Sequence, residues 1–344
     1  MKKVKAQFNF AWIFAIVVGG AILFLAIFGA MKAGDTYRYQ SDTEIAKSLS
    51  VITDPLQSGF SEGSFGKISF GQETRINNIC FEGGFGKNDI SVSTRSEIGE
   101  EWNLPGGATS IHNKYFFSSE KSSGLDYYVF SKSFNFPYEI SDLIFLTSDN
   151  YCFLNAPDEV ADEIIGMNIE NIEIEHPTGV PLGVGFPGST SDGANCTLAN
   201  SVKVCFGSGP QLDNSPYQTG QDCDVMVYGS CSSGCDSVYD EGTVSKSGGD
   251  MKYVGNLMYA AIFSDKLIYD CNVKRLMYRA GRIAEEFFAK ADLMDARGCN
   301  TNLGSDLAVW SGLTGNATSD DLIGLRSMAD SMESKNDREL CGVW

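Results

Sequence analysis

Residues Phe8 to Met31 form an unbroken apolar run, FNFAWIFAIVVGGAILFLAIFGAM, in which Asn9 is the single strongly polar residue. At helical rise such a run reaches roughly 36 Å, more than the roughly 30 Å of a hydrocarbon core. A secretory signal has an apolar stretch of only about 7–15 residues. This run is longer, and no small-x-small cleavage pair follows it, so it reads as a retained anchor. Lys2, Lys3 and Lys5 precede it, and the first acidic residue is Asp35. The positive-inside rule then keeps the N-terminus in the cytoplasm and sends the remainder outside. Lys32 and Arg38 on the far side oppose that bias only slightly.

Beyond Met31 the chain continues for roughly 310 residues, enough for one large domain or two ordinary ones. With 43% hydrophobic and 20% charged residues, the composition is that of a packed chain. All 44 Asp and Glu lie beyond the run, whereas three of the 26 Lys and Arg precede it. The exterior part is therefore more acidic than the whole chain, whose net charge is −18. Such a surface repels phosphate backbones and anionic lipid, which excludes nucleic acid as a partner.

The ten cysteines, Cys80, Cys152, Cys196, Cys205, Cys223, Cys231, Cys235, Cys271, Cys299 and Cys341, all follow the anchor. An even number in an exported chain reads as five disulfides. A zinc site would need close thiolate pairs or histidines; the chain has two histidines and no C-x-x-C. Spacing leaves the connectivity open, except that Cys299 and Cys341 bracket two short helical segments. Their pairing is expected, against alternatives that take Cys341 to Cys271 or Cys80. Two N-x-[ST] sequons, at Asn195 and Asn316, would face the exterior as glycan acceptors.

The organisation reads as six stretches. A basic leader covers residues 1–7, a transmembrane helix 8–31 and an amphipathic helical stalk 32–54, ended by Asp54-Pro55. Ile45, Leu49 and Ile52 recur in the stalk at helical spacing. A first β-rich region spans 55–156, with strand candidates at Thr74–Phe81, Lys114–Phe117, Tyr127–Phe130, Leu143–Leu146 and Tyr151–Leu154. A second region spans 157–263: a short helix over Pro157–Asn168, a Gly/Pro-rich loop over Pro177–Asn195, then strands at Ser201–Phe206, Val225–Tyr228, Ser237–Ser245 and Lys252–Phe263. A helical region, 264–344, begins at Ser264-Asp265, with Val273, Leu276, Ala280, Ile283, Phe287, Ala291 and Met294 as one apolar stripe. The expected class is α+β: a long N-terminal transmembrane helix, an antiparallel β-rich ectodomain and C-terminal helices. Phe287 is expected in the core.

No motif carries a reaction. Gly183–Gly188 (GVGFPG) matches G-x-G-x-x-G, but neither a strand before it nor a helix after it is in prospect. Gly59–Gly63 (GFSEG) matches a hydrolase elbow without its strand-to-helix turn, and His112 or His176 would serve as base only by assumption. Glu173, Glu175 and His176 read as a solvated strand face rather than a cation site. Catalytic residues, cofactors and metals are accordingly expected to be none. Lys274, Arg275, Arg279 and Arg282 concentrate positive charge on one helix of an acidic protein. They are candidates for an acidic partner or a glycan acid, against internal pairing such as Arg282 with Glu286.

The start Lys5–Ala15 (KAQFNFAWIFA) resembles archaeal type IV pilin-like proteins. The resemblance implies processing between Ala6 and Gln7; the glutamate often found at the fifth mature position is replaced by Ala11. Four further segments, Arg38–Lys47 (RYQSDTEIAK), Phe65–Phe70 (FGKISF), Tyr269–Met277 (YDCNVKRLM) and Gly298–Leu303 (GCNTNL), resemble a family of uncharacterised, membrane-anchored surface proteins from small-genome archaea. That resemblance implies a location and no mechanism. The resulting expectation is a single-pass, glycosylated cell-surface protein of structural or adhesive role, pilin-like or an envelope component. Its partners would be the membrane itself, its own copies or envelope proteins. A membrane-anchored extracellular hydrolase and a solute- or partner-binding module are the alternatives.

Overall fold

The computed structural model describes residues 10–52, 65–95, 101–175, 196–208, 223–231, 235, 237–338 and 341–344. Helix α1 (Phe10–Ile52) runs 43 residues without interruption, roughly 65 Å. From Trp12 to Met31 every side chain is exposed, Trp12 at 73%. This is the one helix among the described residues long and apolar enough to cross a membrane. Burial begins at Asp42 and continues through Ala46 and Leu49, which repeat at helical spacing.

These residues rest on the first of two six-stranded sheets. Its order is β3 (Thr109–Ile111), β2 (Lys87–Thr94), β1 (Phe65–Phe81), β5 (Lys121–Asn135), β6 (Glu139–Thr147), β4 (Tyr115–Phe117). One face carries Ile76, Ile90, Val92, Ile111, Phe116, Tyr127, Val129, Ile144 and Leu146 and packs on Ala46 and Leu49. Alternation puts Tyr115, Phe117, Phe130, Leu143 and Phe145 on the other face, in the main core.

The second sheet has the order β12 (Gly249–Val254), β11 (Glu241–Lys246), β10 (Val225–Gly229), β9 (Val202–Ser208), β7 (Tyr151–Leu154), β8 (Ile172–Glu175). The expectation of antiparallel sheets needs correction. Strands β8, β7, β9 and β10 pair in parallel, as do β4 and β6. Parallel neighbours need crossovers of a dozen or more residues. Helix α2 (Asp158–Met167) supplies one between β7 and β8. Strand β5 lies between β4 and β6 in the chain, and more than a dozen residues separate β8 from β9 and β9 from β10.

A second correction concerns Lys252–Phe263. Only its first part is strand; Gly255 turns at φ +51°, and Leu257–Phe263 form helix α3. All seven residues of α3 are buried. Phe263 contacts the rings of Phe130, Phe145, Tyr151 and Phe153, which come from both sheets. Without polar alternation, a short buried helix and a buried strand read alike in sequence.

Helix α4 (Lys266–Ala296) crosses this core, and α5 (Gly304–Thr314) and α6 (Leu322–Arg338) complete it. The cysteines join as Cys80–Cys271, Cys152–Cys196, Cys205–Cys223, Cys231–Cys235 and Cys299–Cys341, with Cα atoms 6.0–6.4 Å apart. Three of these cysteines also belong to the core. Cys152, Cys205, Cys223 and Met226, with Leu154, form the apolar layer behind the second sheet.

Phe287 departs from the expectation of full burial. It is half-buried, edge-on to Tyr138 at 5.0 Å and tilted on Trp344 at 5.5 Å. A fully buried Phe loses about 3–5 kcal/mol on truncation to Ala. Phe287→Ala is therefore expected to cost about 2 kcal/mol, measured by denaturant unfolding of the full chain in mild detergent. A cost of 4 kcal/mol or more would place the ring in the core after all.

Candidate functional site

Among the described residues, polar groups gather where α1 meets the sheet and on the α4 face that carries the clustered positive charges. At the junction, Thr43 Oγ1 accepts the main-chain N–H of Gly107 at 2.7 Å. Gly106 lies so close that a Cβ there would come within 2.7 Å of the Thr43 nitrogen. The contact therefore requires glycine. Asp42 is buried, held by Thr94, and its Oδ2 has no hydrogen-bond partner.

The four clustered cations of α4, Lys274, Arg275, Arg279 and Arg282, have four different environments. Lys274 pairs with Glu82 at 3.0 Å on the surface. Arg282 pairs with Glu285 at 2.6 Å, one residue before the expected Glu286. Arg275 is fully buried and unavailable to any partner, which corrects its assignment as a docking residue. Its Nε donates to Phe85 O at 2.9 Å, its Nη1 to Asn88 Oδ1 and Asn272 Oδ1 at 2.5 and 2.7 Å, and its Nη2 to Lys114 O at 3.2 Å. The guanidinium also faces the Tyr115 ring at 4.9 Å. None of these acceptors is a carboxylate, so neutral oxygens solvate a buried charge. Burial lowers its pKa to about 10, which leaves it protonated at neutral pH.

The network extends inward. Asn88 Nδ2 donates to Asn78 Oδ1 at 2.9 Å, and Asn78 Nδ2 donates to Phe116 O and Ser118 Oγ. Asn272 Nδ2 also reaches Phe116 O, at 2.7 Å. The turn between β1 and β2 is shaped for this purpose. Gly86 sits at φ +55°, and a Cβ there would meet Phe81 O at 2.1 Å and Arg275 Cδ at 2.8 Å. Sequence shows Gly83–Lys87 only as turn punctuation; its acceptor role emerges when α4 crosses it.

Arg279 is the remaining cation. It lines an open cleft of about 570 Å³ together with Tyr138, Glu139, Ile140, Ser141, Asp142, Ile283, Phe287 and Trp344. Its Nε is buried without a hydrogen-bond partner. Its charge, with that of Arg275, partly offsets the burial that raises the pKa of Tyr115. A smaller hollow of about 240 Å³ is bordered by Glu163 and Tyr259. There Lys132 pairs with Glu163, whose other oxygen accepts the Tyr259 hydroxyl, so the group is internally satisfied.

Of the weaker motifs, Gly59–Gly63, His176, Gly183–Gly188, Asn195, Ala6 and Gln7 lie outside the described residues. His112 is exposed in the turn between β3 and β4. Asn316 is exposed between α5 and α6, accessible to a glycan. Among the described residues no three His, Cys, Asp or Glu side chains come together as a metal set. Comparison with protein families, curated proteins and solved structures finds no match.

Removing Arg275 should be costly, because it strands several buried oxygens at about 1–3 kcal/mol each. Arg275→Met is expected to lose about 3 kcal/mol or more, and Arg275→Lys to recover only part, since ammonium cannot reproduce the fork. Lys274→Ala, which breaks an exposed pair, should change stability by less than about 1 kcal/mol. Urea unfolding of the three variants checks the order; equal losses for Arg275→Met and Lys274→Ala would contradict it.

Proposed function

We propose that this is a single-pass cell-surface protein of structural or adhesive role, pilin-like or an envelope component. Its short basic N-terminus lies in the cytoplasm and its disulfide-bonded α+β part lies outside. The observation that supports this reading most directly is the division of α1. Residues 12–31 are apolar and exposed on every side, while Asp42 to Leu49 are seated on the first sheet. A signal sequence has no reason to continue into a docked helix of the folded domain. Ten cysteines in five pairs, with no free thiol among the described residues, suit an oxidising exterior.

Self-association through α1 follows from the same geometry. Ala15 and Gly19 are one helical step apart in the exposed run, and nothing in the protein lies within 4 Å of where a Cβ on Gly19 would stand. Small residues at this spacing let helices approach closely in lipid. Arg275 and its asparagine network are engaged in holding the fold, which favours a structural role over hydrolysis.

Chemical cross-linking of the full chain in native membranes tests this proposal. Higher-order species are expected, and Gly19→Leu should reduce them severalfold without altering the protease resistance of the exterior part. A chain that remains monomeric at every density would rule out the assembly reading.

A further inference from the structure

The segment 101–108, between β2 and β3, stands beside α1 just beyond the apolar run. Asn103 Oδ1 accepts from Arg38 Nη1 at 3.5 Å, and the Gly107 N–H donates to Thr43. Passing outwards along α1 from 38 to 43 is therefore passing along this loop from 103 to 107. The same contacts orient β2. Thr94 O accepts from Asn103 N and Val92 O from Gly106 N, so β2 leads from Thr94, near the apolar run, to Lys87, far from it.

The loop carries the side chains of a membrane interface. Leu104 is 87% exposed, the largest value for any large apolar side chain among the described residues, and Pro105 beside it is exposed too. Main-chain bonds at Asn103, Gly106 and Gly107 fix the backbone on both sides of this pair. Trp102 is half-buried, with the Arg75 guanidinium 3.9 Å from its ring. At the same level of α1, Tyr37 and Tyr39 are 75% and 51% exposed. Single exposed apolar residues are ordinary. A Trp and two Tyr gathered with a Leu just outside an apolar helical run are the composition of the headgroup level.

The distances agree. Arg38 follows Met31, where the run ends, by seven residues, and Asp35, the first acidic residue, by three. The loop thus stands about 5–10 Å outside the hydrocarbon, and headgroups fill about the first 5–7 Å. The run is also longer than the core it crosses. Fitting roughly 36 Å into roughly 30 Å takes a tilt of about 30°. A lean towards the loop lowers a point about 10 Å from the helix axis by about 5 Å, which brings Leu104 among the headgroups. Interfacial anchors set the direction of such a tilt. Trp102 lies on the loop side, and so does the Tyr39 hydroxyl, which approaches Gly107. Glu101, exposed next to Trp102, limits the contact to headgroup depth.

We propose that Trp102 and Leu104 form a second contact between this protein and its own membrane. The helix leans towards the loop, and the Leu104 side chain enters the lipid surface of the exterior leaflet. The proposal rests on reading α1 as a membrane span. One span alone leaves the exterior part free to turn about the helix axis; a span and a loop together fix which face it turns outwards.

The test uses the full chain in phosphatidylcholine vesicles. Single cysteines, Leu104→Cys, Leu23→Cys and Phe85→Cys, carry an environment-sensitive fluorophore, and all three sites are exposed, so the core is untouched. Phospholipids bearing a nitroxide near the headgroup or at mid-chain are the quenchers. The Leu23 label, within the apolar run, should be quenched by the mid-chain nitroxide. The Leu104 label should be quenched severalfold, and more by the shallow nitroxide than by the deep one. The Phe85 label, in the turn beyond Lys87 at the far end of β2, should keep its intensity. Quenching at Leu23 without quenching at Leu104 overturns the loop contact and leaves the span standing. No quenching at Leu23 removes the span and the loop contact with it. Equal quenching at Leu104 and Phe85 means indiscriminate adsorption and also overturns the proposal.

Discussion

Helix α1 must satisfy two solvents along one continuous rod. Its first twenty or so described residues expose only apolar side chains, which water does not tolerate over such an area. About two turns after Asp35 the same helix buries Asp42, Ala46 and Leu49 against a β-sheet. Full burial of a Leu side chain contributes about 1.5–3 kcal/mol, and at the close glycine contact the Gly107 N–H donates to the Thr43 hydroxyl. The anchor is thereby part of the folded domain rather than a tether to it. The paired cysteines and the acidic composition are consistent with that constraint.

Within the domain, a second constraint fixes α4 to the first sheet. Arg275 enters from the helix and is met by oxygens from the β1–β2 turn, from Lys114 and from two asparagines. The disulfide Cys80–Cys271 joins the same two elements one helical turn away. A covalent link and a saturated charge therefore locate one contact together. A buried cation with only neutral partners is costly unless every donor is placed, so the surrounding geometry, including Gly86 at positive φ, is tightly specified. The opposite side of the second sheet uses another device, two disulfides in place of a large apolar layer.

Much of this was legible in the sequence where the signal is local. The apolar run, the long helix from Lys266, strand β7 over Tyr151–Leu154 and the helix over residues 158–167 follow from periodicity, length and turn residues. Sheet direction was not legible, because parallel and antiparallel strands share residue preferences and differ in the length of their connections. Helix α3 was misread as strand since all its residues are buried and no period remains to be seen. The basic residues of α4 were visible as a group, yet their separate fates depend on partners nearly two hundred positions away: Glu82 for Lys274, and the Phe85 carbonyl for Arg275. Arg279 is half-buried and faces the Tyr115 hydroxyl.

The claim that α1 crosses the membrane and then docks is tested most directly by labelling intact cells with a membrane-impermeant maleimide. All ten native cysteines are paired, so single introduced cysteines report cleanly. Lys47 is exposed on α1, and its neighbour Ala46 is fully buried against the sheet. Lys47→Cys should label without lysis, while Ala46→Cys should label only after denaturation. Equal labelling of both would contradict docking, and labelling of Lys47→Cys only after lysis would contradict the orientation.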